Sequence, residues 1–198
     1  MILPAAILFD MDGTLTKERI DFAGLRRDLG MEPDEAILEA VHRMSPADRH
    51  RAEQILHDYE HRAACESTLN PGCADLLHWL DARGIGRALI TRNTRKSVQT
   101  VFDTHDLHFE IKITREDGKF KPSPEPLWLA CERLGVRPDK AWMVGDWKYD
   151  IEAATAARIF SVWISYGRER VFDAVPSLDV PDLNGLFELL KQLDAQRE

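Results

Sequence analysis

Two aspartates, Asp10 and Asp12, follow a short apolar segment near the start of the chain. In an extended segment residues two apart lie on the same face, so both carboxylates can reach one ligand. One carboxylate can act as a nucleophile while the other donates a proton to a leaving oxygen. Phosphoryl transfer through an aspartyl phosphate requires this pair of groups. Gly13, which follows directly, permits a sharp turn close to the ligand.

The Asp10 segment also has two simpler interpretations, a solvated turn and a calcium-binding loop. In an EF-hand loop counted from Asp10, glycine stands at the sixth position and glutamate at the twelfth. Here the glycine is at the fourth position and the twelfth residue is Asp21. The spacing therefore disfavours an EF-hand.

A second pair of acids, Asp146 and Asp150, lies at the end of another apolar segment. Magnesium prefers a few carboxylates supplemented by water or phosphate oxygens. Asp10, Asp146 and a main-chain oxygen near Asp12 fit that preference, and Asp150 either binds the ion directly or orients its ligands. We take all four aspartates as the candidate Mg²⁺ site. The alternative for Asp150 is an acid that only stabilises the start of a helix.

Lys121 is the candidate cation for a phosphoryl group. It lies in a loop stiffened by prolines at 122, 124 and 126, and a fixed ammonium there would neutralise phosphoryl oxygens and nearby carboxylates. Lys119 is its competitor, and a loop lysine is more often only solvated. Thr91 and Arg92 end a third apolar segment, where a hydroxyl and main-chain amides at a helix start can bind an anion. The alternative for Thr91 is a helix N-cap.

The apolar segments predict four strands, over residues 5–9, 85–90, 141–144 and 159–164. Helical patterns separate or follow them, at 73–83, 94–104, 125–134, 150–157 and 183–193. The alternation predicts an α/β fold with a doubly wound parallel sheet. Ligand sites in such sheets lie beyond the carboxyl ends of the strands, where all the candidate residues fall.

Residues 16–69 interrupt this alternation. Their pattern is helical throughout, with a capped helix start at Ser45-Pro46 and a long helix to about Cys65. We expect a helical cap domain at 16–69 and a core domain formed by residues 1–15 and 70–198.

Composition limits the partners. The 26 basic residues are scattered among 34 acidic ones and the net charge is −8, which makes nucleic acid an unlikely partner. Three widely spaced cysteines predict reduced, mostly buried thiols. The apolar start has no basic leader and no segment is long enough to cross a membrane, so we expect a cytoplasmic protein with no membrane contact. The sequence does not predict the oligomeric state.

Taken together, these segments resemble the four motifs of the haloacid dehalogenase superfamily, within its subgroup of phosphoglycolate phosphatases with a small helical cap. The matching residues are Asp10-Met11-Asp12-Gly13-Thr14, Thr91, Lys121-Pro122 and Gly145-Asp146 with Asp150. The resemblance implies that Asp10 is the nucleophile and Asp12 the acid and base. It implies that Thr91 and Lys121 bind the phosphoryl group and that Asp146 completes a Mg²⁺ site with Asp150 beside it.

The expected activity is magnesium-dependent hydrolysis of a small phosphorylated metabolite. Dehalogenases of the superfamily lack the second acid, so Asp12 disfavours dehalogenation. A phosphomutase on the same scaffold and a non-catalytic binding domain are the alternatives. Two departures from the family pattern are a bulky Trp147 after Asp146, which would narrow the site, and Arg158 where many relatives have glycine. The cap cations that are candidates for contact with the substrate are Lys17, Arg19, Arg26 and Arg27.

Overall fold

The computed structural model describes residues 1–196 and contains a six-stranded sheet in which every pairing is parallel. The strand order is β3-β2-β1-β4-β5-β6. The strands are β1 (Ala6–Phe9), β2 (Gly86–Ile90), β3 (Ile111–Ile113), β4 (Ala141–Gly145), β5 (Phe160–Ile164) and β6 (Leu178–Val180). The predicted doubly wound α/β fold is confirmed.

Helices lie in every connection between consecutive strands except that from β5 to β6, and one more helix follows β6. They are α1 (Phe22–Leu29), α2 (Ile37–Arg43), α3 (Pro46–Cys65), α4 (Cys73–Ala82), α5 (Arg95–His105), α6 (Glu125–Leu134), α7 (Lys148–Ala157) and α8 (Leu183–Ala195). Each helix predicted from the sequence is present, with ends that differ by at most two residues from the prediction.

The two edge strands, β3 and β6, were not predicted. Each has three residues, Ile-Lys-Ile and Leu-Asp-Val, with a polar residue in the middle. An edge strand has a neighbour on one side only and needs no continuous apolar sequence. Continuous apolar segments therefore mark the four inner strands and do not mark the two edge strands.

The side chains of β1 alternate between two cores, one on each face of the sheet. Ile7 and Phe9 pack with residues of α4, α5 and α8, whereas Leu8 packs with residues of α6 and α7. All three side chains are fully buried. A strand covered on both faces has no polar side, which explains why β1 is an unbroken apolar segment.

Helices α1 to α3 have a small apolar cluster of their own, which includes Leu25, Val41 and Leu56. Helix α3 begins as predicted, because the Ser45 hydroxyl accepts a hydrogen bond from the Asp48 amide and Pro46 occupies the first turn. We propose residues 16–69 as the cap and 1–15 with 70–198 as the core. Residues 197 and 198 of that range lie outside the described part of the chain.

The chain enters and leaves the cap through two linkers that lie side by side. The Lys17 amide donates to the Thr68 carbonyl at 2.9 Å. The side-chain amide of Asn70 donates to the carbonyls of Thr14 at 2.9 Å and Thr16 at 3.0 Å. These bonds fasten the two linkers to each other beyond the carboxyl end of β1.

Two ion pairs join the cap helices to the loops of the core. Glu39 of α2 binds the guanidinium of Arg92 through both carboxylate oxygens, each at 2.9 Å. In that pair a single nitrogen, Nη2, donates to both oxygens. Glu60 of α3 is buried and binds Arg115 in a bidentate way, with Nη1 donating to one carboxylate oxygen and Nη2 to the other. The bidentate pair fixes orientation as well as distance, and together the two pairs hold the cap over the strand ends.

The cysteines of the chain are mostly buried, as expected. Cys73 and Cys131 are buried free thiols, as predicted, whereas Cys65 is exposed. Within residues 1–196, none of the helices has both the length and the apolar character that crossing a bilayer requires.

Arg158 ends α7 in the left-handed region, with φ of 58°. A side chain in that conformation is strained, and glycine is not. We expect Arg158→Gly to raise the free energy of unfolding by about 1 kcal/mol, measured by urea denaturation. Arg158→Ala serves as the control, because alanine removes the same long side chain and keeps the strain. An equal gain in both variants would contradict this explanation.

Candidate active site

Candidate residues from three central strands meet at the carboxyl ends of those strands. Asp10 follows β1, Thr91 follows β2 and Asp146 follows β4, and β1 lies between the other two strands. From β1 the chain builds β2 and β3 on one side and then crosses to build β4, β5 and β6 on the other. Open α/β sheets form a crevice where the strand order reverses in this way. The Asp10 amide donates to the Val144 carbonyl at 2.9 Å, so the two acidic segments are tied together.

Two glycines make room for the acids. Gly13 has φ of +80°, and a Cβ there would lie 2.3 Å from Asp146 Oδ2. A Cβ at Gly145 would lie 2.2 Å from Asp150 Cγ. Both distances are far below van der Waals contact, so any side chain at either position would displace a candidate carboxylate.

Lys121 lies at the centre of the candidate site. Its side chain is 1% exposed, and its ammonium donates to Asp10 Oδ1 at 2.5 Å and to Asp150 Oδ1 at 2.6 Å. Lys119, its competitor in the sequence, is exposed and pairs with Glu125. The stiff proline-rich loop therefore presents Lys121, and not Lys119, to the acids.

Asp150 serves the helix and the site at once. It stands in the first turn of α7, where its Oδ2 accepts the Trp147 amide at 3.1 Å, while Oδ1 accepts from Lys121. Asp150 therefore stabilises the start of its helix and also faces the crevice, so it is more than a helix-start acid. Its part in the metal site stays a prediction. The bond from the Trp147 amide holds the Asp150 carboxylate in place, and the carboxylate in turn holds the Lys121 ammonium beside Asp10.

Burial makes the negative charges of the crevice costly. It raises the pKa of Asp10 to about 7 and that of Asp146 to about 6, and the neighbouring carboxylate of Asp150 adds to both shifts. Lys121 opposes the shift at Asp10, and Arg168 opposes it at Asp146. The positive charge present is insufficient to bring either carboxyl back to its ordinary pKa.

Asp12 is held by Asn93, whose side-chain amide donates to its Oδ2. Loss of water contact raises the pKa of Asp12 well above its ordinary value, and the charge of Asp10 adds to this. The protonated carboxyl is thereby favoured. Thr91 is buried, and its hydroxyl accepts the Asn93 amide at 3.1 Å. Thr94 caps α5 through the Ser97 amide, so the interpretation of Thr91 as that N-cap is wrong.

The donor set suits a hard divalent cation. Oxygen atoms of Asp10, Asp146 and Asp150 lie within 4.8 Å of one another. Burial and the neighbouring carboxylates raise the pKa values of Asp10 and Asp146, and a bound cation would offset both effects. Carboxylates in this arrangement are the ligands that magnesium prefers. The side chain of Asp12 is not in this group of three. Its inclusion in the metal site stays a prediction that concerns its main-chain oxygen.

Arg92 lines the crevice, but its guanidinium already has several contacts. It binds Glu39, donates to the Lys121 carbonyl, and lies 4.0 Å from the ring centre of Tyr149. Its role as a phosphate ligand stays a prediction. The contacts indicate that Arg92 also positions the cap and the Lys121 loop.

Two residues of the site were missed in the sequence. Asn93 holds Asp12, and Arg168, in the loop after β5, binds Asp146 Oδ2 at 2.8 Å. Asn93 follows the Thr91 segment directly, so its position at a strand end was an available signal. Arg168 lies beyond the end of β5 with no motif around it. Arg168 reaches the site because β5 pairs in parallel with β4, which places the carboxyl ends of the two strands side by side.

Comparison with known proteins identifies the family. The sequence model of the haloacid dehalogenase-like hydrolase family matches residues 4–158 of this chain, a range that includes every acid of the crevice and Lys121. The chain belongs to this family. A haloacid dehalogenase-like hydrolase domain-containing protein of Arabidopsis thaliana is 32% identical over 93% of the chain and 83% of its own length.

Further comparisons agree with this membership in the haloacid dehalogenase-like family. A phosphoglycolate phosphatase of Salmonella choleraesuis is 35% identical over 79% of the chain, which spans 62% of that enzyme. The crystal structure of a hydrolase from Pseudomonas syringae superposes with a TM-score of 0.79 at 18% identity, over 95% of this chain and 98% of that one. The last comparison concerns the fold alone.

Proposed function

We propose that this hydrolase removes the phosphate of a small phosphorylated metabolite through an aspartyl phosphate on Asp10. The observation that carries the proposal is the buried ammonium of Lys121, 2.5 Å from Asp10 Oδ1, in a crevice that also holds Asp12. A fully buried cation beside a nucleophile can bind the equatorial oxygens of a phosphoryl group. Membership in the family and the similarity to phosphoglycolate phosphatase support the same activity.

In the first step, a carboxylate oxygen of Asp10 attacks phosphorus while the ester oxygen leaves on the opposite side. Lys121 neutralises charge on the phosphoryl oxygens, and the Thr91 segment lies at the end of the neighbouring strand to bind the same group. Asp12 supplies the proton to the leaving alkoxide, because its raised pKa favours the carboxylic acid. The products are an alcohol and phosphorylated Asp10.

In the second step, water cleaves the aspartyl phosphate. Asp12 is now ionised, since it has given up its proton, and it accepts one from the attacking water. Asn93 keeps the Asp12 side chain in place during both transfers. Release of phosphate restores Asp10 as a carboxylate and Asp12 as an acid.

Mg²⁺, held by Asp10 and Asp146 with Asp150 beside them, would supply positive charge to the phosphoryl oxygens. Asp150 keeps both of its oxygens occupied by Lys121 and the Trp147 amide. We therefore propose that Asp150 chiefly positions Lys121. Thr14 donates to Asp146 Oδ1 at 3.2 Å and orients that carboxylate.

The proposal is tested by phosphate release from a panel of phosphorylated sugars, phosphoglycolate, nucleotides and p-nitrophenyl phosphate, with Mg²⁺ present. Release from at least one class of ester is expected. Isomerised sugar phosphate without free phosphate would instead show a phosphomutase. If none of the esters is hydrolysed or isomerised, the result would contradict both the phosphatase and the phosphomutase and would support a binding domain.

Replacement of Asp12 by asparagine separates the two steps. Asparagine has no proton to give, so kcat for alkyl phosphates is expected to fall by about 10² to 10⁴. With p-nitrophenyl phosphate the leaving group needs no proton. The variant should therefore release about one equivalent of nitrophenol rapidly and then stall, because water lacks its base.

Stopped-flow absorbance at high enzyme concentration measures this burst. The wild type is the control and is expected to turn over steadily. Equal losses for both esters without a burst would show that Asp12 does not act as the acid.

A further inference from the structure

A cavity of about 400 Å³ lies between the cap and the acids of the crevice. Its base is polar and contains Asp10, Asp12 and Lys121. The cap side of the cavity includes six apolar residues beside three charged ones, and the apolar residues are Ile20, Phe22, Leu25, Ile37, Leu38 and Leu56. The volume is in the range of small-molecule sites and leaves space beyond a phosphoryl group bound at the base.

Most cations that line the cavity are already neutralised. Arg92 is bound by Glu39 through both oxygens, and Arg168 is bound by Asp146. The acids Glu18 and Glu60 face the same space, and Glu60 is bound to Arg115. A second anionic group on the substrate would therefore meet carboxylates and apolar side chains on most of the wall.

Arg26 is the remaining cation of the lining. It is half-buried, its Nε donates to the Glu35 carbonyl at 3.0 Å, and its guanidinium lies 5.9 Å from the ring centre of Phe22. One nitrogen is thus committed to the cap backbone. Six apolar side chains against this single cation favour an apolar ligand.

We propose that the substrate is a phosphate monoester of an apolar, uncharged alcohol, whose hydrocarbon part packs against the apolar surface on the cap side of the cavity. The inference rests on the proposed phosphatase activity and adds the class of leaving group. It differs from what the similarity to phosphoglycolate phosphatase alone would indicate, because glycolate carries a carboxylate and has little apolar surface.

The test uses the full-length protein with ethyl, butyl and hexyl phosphate, whose leaving alcohols have nearly equal acidity. Burial of each added methylene is expected to raise kcat/KM by about fourfold until the cavity is filled. Phosphoglycolate is expected to be a poorer substrate than butyl phosphate, although its alkoxide is the better leaving group. Preference for phosphoglycolate, or rates that do not depend on chain length, would overturn the inference.

Phe22 offers a variant that can be made without disturbing the core, because it is 40% exposed at the start of α1. Phe22→Ser is expected to reduce the gain per methylene by at least about half. Val175→Ser is the matched control, since Val175 is 72% exposed and does not line the cavity. If Arg26 binds a substrate carboxylate instead, Arg26→Met will lower kcat/KM for phosphoglycolate by about tenfold or more, which would also overturn the inference.

Binding measured without turnover separates this inference from the proposed activity. Isothermal titration of the wild type with ethyl-, butyl- and hexylphosphonate, in the presence of Mg²⁺, should give affinities that rise with chain length by the same factor. Absence of hydrolysis for all esters would contradict the proposed function. Phosphonate affinities independent of chain length would overturn the apolar-substrate inference, whatever the activity.

Discussion

Replacement of Asp10 by asparagine is expected to lower kcat/KM for every phosphate ester by a factor on the order of 10⁴ or more. The amide oxygen is a poor nucleophile, so the covalent route is lost, while Lys121 and the rest of the crevice can still bind the ester. KM is therefore expected to change much less than kcat. Phosphate release under steady-state conditions measures both constants.

The Asp10→Asn protein should be as stable as the wild type or more so, which excludes unfolding as the cause of inactivity. Burial raises the folded pKa of Asp10 to about 7, above its ordinary 3.8. The folded protein then binds more protons than the unfolded chain between these values, and its stability falls as pH rises through this range. The variant lacks this loss, so its Tm in metal-free buffer at pH 8 should not be lower.

A phosphorylated species provides the matching positive result. Brief exposure of the wild type to substrate, followed by acid quench and mass spectrometry, should place the phosphoryl group on the peptide that contains Asp10. Undiminished activity of Asp10→Asn, or phosphorylation at another residue, would remove Asp10 from the proposed role.

Removal of divalent metal is expected to have the second largest effect, a loss of activity on the order of 10³ or more that Mg²⁺ restores. Oxygen atoms of three carboxylates lie within 4.8 Å of one another, and without the ion their charge would repel a phosphate dianion. Phosphate release after treatment with a chelator, before and after addition of Mg²⁺, measures the loss. Full activity of the metal-free protein would contradict this prediction.

The affinity for Mg²⁺ should also depend on pH. Protons compete with the ion at Asp10, with a pKa of about 7, and at Asp146, with a pKa of about 6. Between pH 8 and pH 6 the dissociation constant is expected to rise roughly twentyfold, with proton release on binding. Isothermal titration at the two values measures this. Asp10→Asn is the control and should lose most of the pH dependence.

The sequence predicted the inner sheet and the base of the crevice well. Strands that are buried on both faces must be apolar throughout, and this makes β1, β2, β4 and β5 visible as segments. Polar residues directly after such segments are then placed together by the geometry of a parallel sheet. In this way the sequence predicted that Asp10, Thr91 and Asp146 lie together at the carboxyl ends of the strands, before any contact was known.

Other features depend on contacts that no local pattern contains. The pairing of Arg92 with Glu39 depends on how α2 lies over the strand ends, and helix orientation is set by packing across the whole cap. Arg168 comes close to Asp146 through a loop with no periodicity. Which cap residues face the cavity was likewise unknown. Of the four cap cations named from the sequence, Arg26 lines the cavity, while Lys17, Arg19 and Arg27 are exposed and are not part of its lining.

The side-by-side linkers at Thr14–Lys17 and Thr68–Asn70 bear on how the cap can change in evolution. Because its two ends are hydrogen-bonded to each other, the inserted segment is a closed loop, and the sheet contains only the two adjacent ends of that loop. The entropy of closing a loop grows only with the logarithm of its length, by about 0.6 kcal/mol for each doubling. Insertions of very different size at this position are therefore compatible with the same sheet and the same crevice residues, so the proposed leaving-group specificity can diverge while the proposed phosphoryl chemistry is retained.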